Sequence, residues 1–81
     1  MLFKFKMPDL STNSDEIDVK QWLVGVGEKI TRGQAILEIE TDKAVMEVES
    51  PVEGVLQEWV AQPDTTVGVG TVIAHIKTER R

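Results

Sequence analysis

Glu38-Ile39-Glu40-Thr41-Asp42-Lys43-Ala44-Val45-Met46-Glu47-Val48-Glu49-Ser50 is two runs of alternating apolar and acidic residues joined by a short polar link. Alternation sends successive side chains to opposite faces of a strand. Leu37 and Ile39 before the link, and Met46 and Val48 after it, are therefore expected to share a buried face, with Glu38, Glu40, Glu47 and Glu49 toward water. The pattern predicts a β-hairpin that holds Lys43 at its tip, in a turn that Asp42 favours. On spacing alone, such a lysine is a solvated charge or a guard against strand-to-strand aggregation.

Outward from the hairpin the chain reads as further short strands. Leu2 to Met7 alternates, and Pro8-Asp9 ends it by removing a ladder donor. Ser11 to Glu16 is a polar loop. Ile17 to Val24 is followed by Gly25 and Gly27, which favours a strand over the rival helix from Ser14 to Leu23. Ile30 starts a short element, Arg32-Gly33 turns, and Ala35 to Glu40 climbs to Lys43. After Val45 to Glu49, Pro51 to Gly54 breaks the pattern, and Val55 to Val60, Val67, and Val72 to Ile76 give three more segments. Strands this short and this regularly punctuated indicate an all-β sandwich or barrel.

The second half repeats the first. An offset of 37 positions (59 − 22) superposes Trp22 on Trp59, Gly33 on Gly70, Ile36 on Ile73 and Ile39 on Ile76 without a gap. A unit too small to bury its own apolar face suggests two copies packed face to face about an approximate twofold axis. The two tryptophans are then equivalent and belong to the core, since each removes roughly 150–250 Å² from water. The hairpin links the copies and carries its tip at one end, with the termini at the other.

Composition narrows the function. At 81 residues, 41% hydrophobic and 28% charged, the chain fits one domain, residues 1–81, whose apolar residues are nearly all needed for the core. A deep catalytic cleft has no material. Without cysteine there is no disulfide, thiolate metal site or thiol nucleophile. The net charge of −5 argues against nucleic-acid binding, and no segment reaches membrane-spanning length. Gly25-Val26-Gly27 and Gly68-Val69-Gly70 lack the third glycine of a dinucleotide site, so they read as turns. His75 is the lone histidine, and alternation spreads the carboxylates along a solvent face, so no metal site is expected.

Glu40-Thr41-Asp42-Lys43-Ala44, with Leu37-Glu38-Ile39 before it and Met46 to Pro51 and Gly54 after it, resembles the lipoyl domain of the acyltransferase component of 2-oxo acid dehydrogenase complexes. The resemblance runs from Phe3 to Lys77 and includes Met7-Pro8, Trp22-Leu23, Gly27 to Ile30, Gly33 and Gly68 to Gly70. It implies a flattened β-barrel of two four-stranded antiparallel sheets, with the target lysine in the turn between the fourth and fifth strands. It further implies that lipoic acid is amide-linked to Lys43 by a lipoate-attaching enzyme that reads Asp42 and Ala44, with Glu40 and Thr41 beside them. The arm would carry acyl groups and electrons between a thiamine-dependent decarboxylase, the acyltransferase core and dihydrolipoamide dehydrogenase. Such a domain is a non-catalytic carrier, part of a dihydrolipoamide acyltransferase whose catalytic domain is absent from this chain. It is soluble, in bacterial cytoplasm or a mitochondrial matrix. A biotin carrier shares the fold but flanks its lysine with methionines, where Asp42 and Ala44 stand here. A plain interaction module without modification is the third reading. Two departures from the family are visible: Asp15-Glu16-Ile17 lacks the usual glycine in a loop implied to aid decarboxylase recognition, and Pro63-Asp64 replaces Gly-Asp in a turn.

Overall fold

A computed structural model describes residues 1–9, 16–41 and 43–78. Its strands are β1 (Leu2–Lys6), β2 (Glu16–Trp22), β3 (Lys29–Ile30), β4 (Ala35–Glu40), β5 (Val45–Glu49), β6 (Gly54–Trp59), β7 (Thr65–Gly68) and β8 (Val72–Lys77). They form two four-stranded antiparallel sheets, β1-β8-β6-β3 and β5-β4-β2-β7. The helical alternative for the second segment is excluded, and Glu16, expected in the preceding loop, opens β2. The rest of that loop, residues 11–15, lies outside the described residues.

The inner faces meet over Ile17, Val19, Ile30, Leu37, Ile39, Leu56 and Ile76, all fully buried. Burying a side chain of this size contributes about 1.5–3 kcal/mol. Leu37, Ile39 and Val48 take the buried face predicted for the hairpin, whereas Met46 is only partly covered.

Strict alternation fails at Ile36 and Ile73, which are buried beside buried neighbours. Each is the unpaired residue where the ladder slips: Ala35 and Leu37 face Glu49 and Val48, and Ala74 and Val72 face Phe5 and Lys6. A bulge of this kind re-aims a side chain and strengthens local twist. Lys20 and Gln57 mark a second equivalent pair of slips.

Duplication therefore extends to the irregularities, and hydrogen bonds repeat it. Gly27 N–H donates to Leu56 O as Asp64 N–H does to Val19 O, and Leu23 N–H donates to Ile36 O as Val60 N–H does to Ile73 O. Gly27 and Asp64 both take left-handed φ, 93° and 65°. Trp22 Nε1–H donates to Ala61 O at 2.8 Å, and Trp59 Nε1–H to Val24 O at 3.2 Å. The two indoles stack at 5.8 Å with planes 7° apart, and satisfied in this way they are structural, as expected.

One expectation needs correction. The copies do not each form a layer: β1 and β3 of the first half share a sheet with β6 and β8 of the second. Each connection except β4–β5 crosses between sheets, so every half contributes two strands to both layers. Crossing the roughly 10 Å between stacked sheets requires chain, while a same-sheet connection can turn tightly. That topology makes the β4–β5 link the exposed hairpin tip.

Candidate functional site

Thr41 organises the tip. Its N–H donates to Ala44 O at 2.9 Å and closes the turn, and its hydroxyl donates to the same carbonyl at 3.1 Å. The hydroxyl oxygen also accepts Lys43 N–H at 3.1 Å and Ala44 N–H at 3.2 Å. One threonine side chain thus ties Lys43 N–H and Ala44 N–H and adds a second donor to Ala44 O. Glu40 pairs with Val45 just below, and its carboxylate lies 3.5 Å from Lys20 Nζ.

Lys43 and Ala44 are exposed, while Glu40 and Thr41 are half-buried. Among the described residues no ion pair or hydrogen bond engages the Lys43 ammonium. The backbone of the turn is held while the amine is free to be approached, which is the geometry that covalent attachment of an acyl group requires. Ala44 presents only a methyl beside it. Asp42, expected to favour the turn and to aid recognition, lies outside the described residues. Residue patterning credited that role to Asp42 and missed the hydroxyl clamp. Its signal was present in Thr41, a residue able to bond backbone N–H groups two and three positions on.

Register places the tip. Asp18 of β2 pairs with Glu40, and Glu16, two residues nearer the lysine end, pairs with Gly68. Beyond Gly68, Gly70 N–H donates to Met7 O at the far end of β1 from Met1. Termini and lysine turn consequently occupy opposite ends of the sandwich. The termini also copy the turn: Thr78 N–H and Oγ1–H donate to Met1 O at 2.8 and 3.2 Å, as Thr41 does to Ala44 O.

His75 lies on β8 with Nδ1 3.3 Å from Glu58 Oε1. No group of three metal-ligating side chains occurs among the described residues. No helix there is long and apolar enough to cross a membrane. A shallow polar hollow lined by Asp18, Lys20, Glu40, Asp64 and Thr66 flanks the hairpin on the outer side of its sheet. Lys20 and Glu40 close on one another across it, and Thr66 Oγ1–H donates to Asp18 Oδ1 at 2.7 Å.

Fold and site together define a lysine-presenting, internally duplicated β-sandwich. The family model for biotin-requiring enzymes, which covers biotin and lipoyl attachment, matches residues 4–76. The chain is 33% identical to the solution structure of the lipoyl domain of the 2-oxoglutarate dehydrogenase complex from Azotobacter vinelandii, with a TM-score of 0.72 over 90% of this chain and 92% of that one. It belongs to the biotin/lipoyl attachment family, as a lipoyl domain of the 2-oxo acid dehydrogenase type. Among curated relatives, it is 43% identical over 76 residues to the acetyltransferase component of the pyruvate dehydrogenase complex of Corynebacterium glutamicum. It is 45% identical over 71 residues to the succinyltransferase component of the 2-oxoglutarate dehydrogenase complex of Staphylococcus saprophyticus. These matches cover 94% and 88% of this chain but only 11% and 17% of the relatives' length.

Proposed function

We propose that residues 1–81 form one lipoyl domain, that Lys43 bears lipoic acid in amide linkage, and that the domain works as a non-catalytic swinging-arm carrier within a larger dihydrolipoamide acyltransferase. The observation that carries this reading is the free amine of Lys43 on the clamped β4–β5 turn of a lipoyl-type fold. The attached group supplies a dithiolane that accepts acyl groups and electrons. The chain's own contribution is positional. Thr41 fixes the backbone from which the arm projects, Ala44 leaves room for an attaching enzyme, and Asp42 with Glu40 completes the address that enzyme reads. Tethering raises the arm's effective concentration at each active site it visits and prevents loss of the cargo.

The partners on this reading are a lipoate-attaching enzyme, a thiamine-dependent 2-oxo acid decarboxylase, the acyltransferase core and dihydrolipoamide dehydrogenase, in the compartment that holds them. Similarity to acetyltransferase and succinyltransferase components alike leaves the 2-oxo acid to a direct assay. Intact-mass analysis after incubation with lipoate, ATP and a lipoate ligase is expected to show one lipoyl addition, absent in Lys43→Gln. No addition, or one that persists in that variant, defeats the assignment. A biotin ligase is expected to add nothing. Reductive acylation of the lipoylated domain by a panel of decarboxylases then names the complex.

A further inference from the structure

The internal duplication supplies its own control on surface charge. Twofold-equivalent positions have the same backbone setting, so the fold does not dictate the sign of the charge placed there. On the outer faces the signs are inverted. Lys4 of β1 matches Glu47 of β5, and Lys6 matches Glu49. Lys77 of β8 matches Glu40 of β4, and His75 matches Glu38, in the same ladder positions. The strands of the β1-β8-β6-β3 sheet carry four lysines and one glutamate, and those of β5-β4-β2-β7 carry six carboxylates and one lysine. The two exceptions, Glu58 and Lys20, are engaged locally, by His75 and by Glu40.

Within the acidic face this arrangement is unfavourable. Glu38 lies directly opposite Glu47 across the β4–β5 ladder, and like charges so placed destabilise a sheet. Among the described residues no ion pair relieves Lys4, Lys6, Lys77, Glu47 or Glu49. Each face also exposes an apolar residue at the same register position, Leu2 in one and Val45 in the other. A surface that fits one face in shape and opposes it in charge is already present in the molecule, on the other side.

We propose that the basic outer face of one copy docks on the acidic outer face of a second, giving a weak, salt-sensitive, head-to-tail association of this chain. The molecule measures 40 × 20 × 19 Å, so a face offers at most 40 by 20 Å. That is of the order of the ~800 Å² each partner contributes to a standard interface. Net charge does not forbid the contact, because the Debye length of about 8 Å at physiological salt is shorter than the molecule is thick, and each face senses the one it meets. Lys43 projects from a strand end and stays uncovered, so association is compatible with lipoylation.

Sedimentation velocity on the wild-type domain over a dilution series is expected to show weight-average mass rising with concentration at about 0.15 M salt and returning to the monomer value at about 0.5 M salt, where the Debye length falls to about 4 Å. Lys4→Glu/Lys6→Glu and Glu47→Lys/Glu49→Lys are each expected to be monomeric alone and to associate when mixed. Lys4→Gln/Lys6→Gln, less disturbing to the fold, is expected to weaken self-association at least threefold. A wild-type domain that stays monomeric at about 0.15 M salt overturns the proposal and assigns the two faces to other partners. Association that neither reversal disturbs, or that mixing does not restore, overturns it as well.

Discussion

At the scale of the residue, Thr41 and Lys43 divide the work of the tip. The lysine supplies the amine, and the threonine hydroxyl holds Lys43 N–H, Ala44 N–H and Ala44 O in one arrangement. Thr41→Ala is expected to lower the rate of lipoyl attachment roughly fivefold, the equivalent of about 1 kcal/mol in holding the turn. Thr41→Ser is expected to retain it. Time-resolved mass spectra check both, and equal rates for Ala and wild type would remove the clamp from the account. Asp64 presents a different economy of conformation, a non-glycine residue at φ 65° where its twin is Gly27. Asp64→Gly is expected to stabilise the fold by about 0.5–1 kcal/mol, read from urea unfolding, because a Cβ disfavours left-handed backbone. Lys43 was legible in the sequence because its neighbours alternate; the clamp was not, since turn chemistry credited Asp42 and one threonine among several carries no periodic signal.

At the scale of the element, β6 and β8 approach too closely for a side chain at the first position of β6. A Cβ built on Gly54 overlaps the Lys77 carbonyl oxygen, and Ile76 lies behind it. Gly54→Ala is expected to cost about 1–3 kcal/mol by overpacking, measurable as a fall in the urea midpoint at unchanged m-value. A neutral result would mean that β6 shifts outward freely. Residue patterning placed Gly54 in the break before β6, since glycine in isolation signals a turn and its backbone approach to β8 is a long-range contact. Strand segments themselves were legible to within a residue or two. Slips at Lys20, Ile36, Gln57 and Ile73 were not, because a bulge is defined by what faces the residue across the ladder.

At the scale of the whole molecule, the twofold relation puts Trp22 and Trp59 against each other and makes the termini the counterpart of the lysine turn. Stacked indoles 5.8 Å apart are expected to give coupled near-ultraviolet circular dichroism that either Trp22→Phe or Trp59→Phe abolishes. Trp22→Phe is also expected to cost about 1–3 kcal/mol, since Ala61 O loses its buried donor. Met1 N–H donates to Thr78 O at 3.0 Å, with Thr78 N–H returning to Met1 O. Joining Thr78 to Met1 through two residues, with new ends opened between Pro51 and Glu53, is therefore expected to give a folded permutant that still accepts lipoate. Failure of that permutant to fold would show that the closure at Met1 and Thr78 is not equivalent to the one at Thr41 and Ala44.

The sequence by itself determined an all-β duplicated fold, the strand segments, the identity of the core tryptophans and the lysine at the tip. Each of these rests on period and offset, which are local or self-similar properties of a chain. Only the tertiary structure decided that the halves interleave, that the connections other than β4–β5 cross between the sheets, and that Thr41 holds the turn. It alone also sorted the charges into a basic and an acidic face. Those outcomes depend on which strands pair and which layer each one enters, and pairing between segments distant in sequence leaves no periodic trace in either of them.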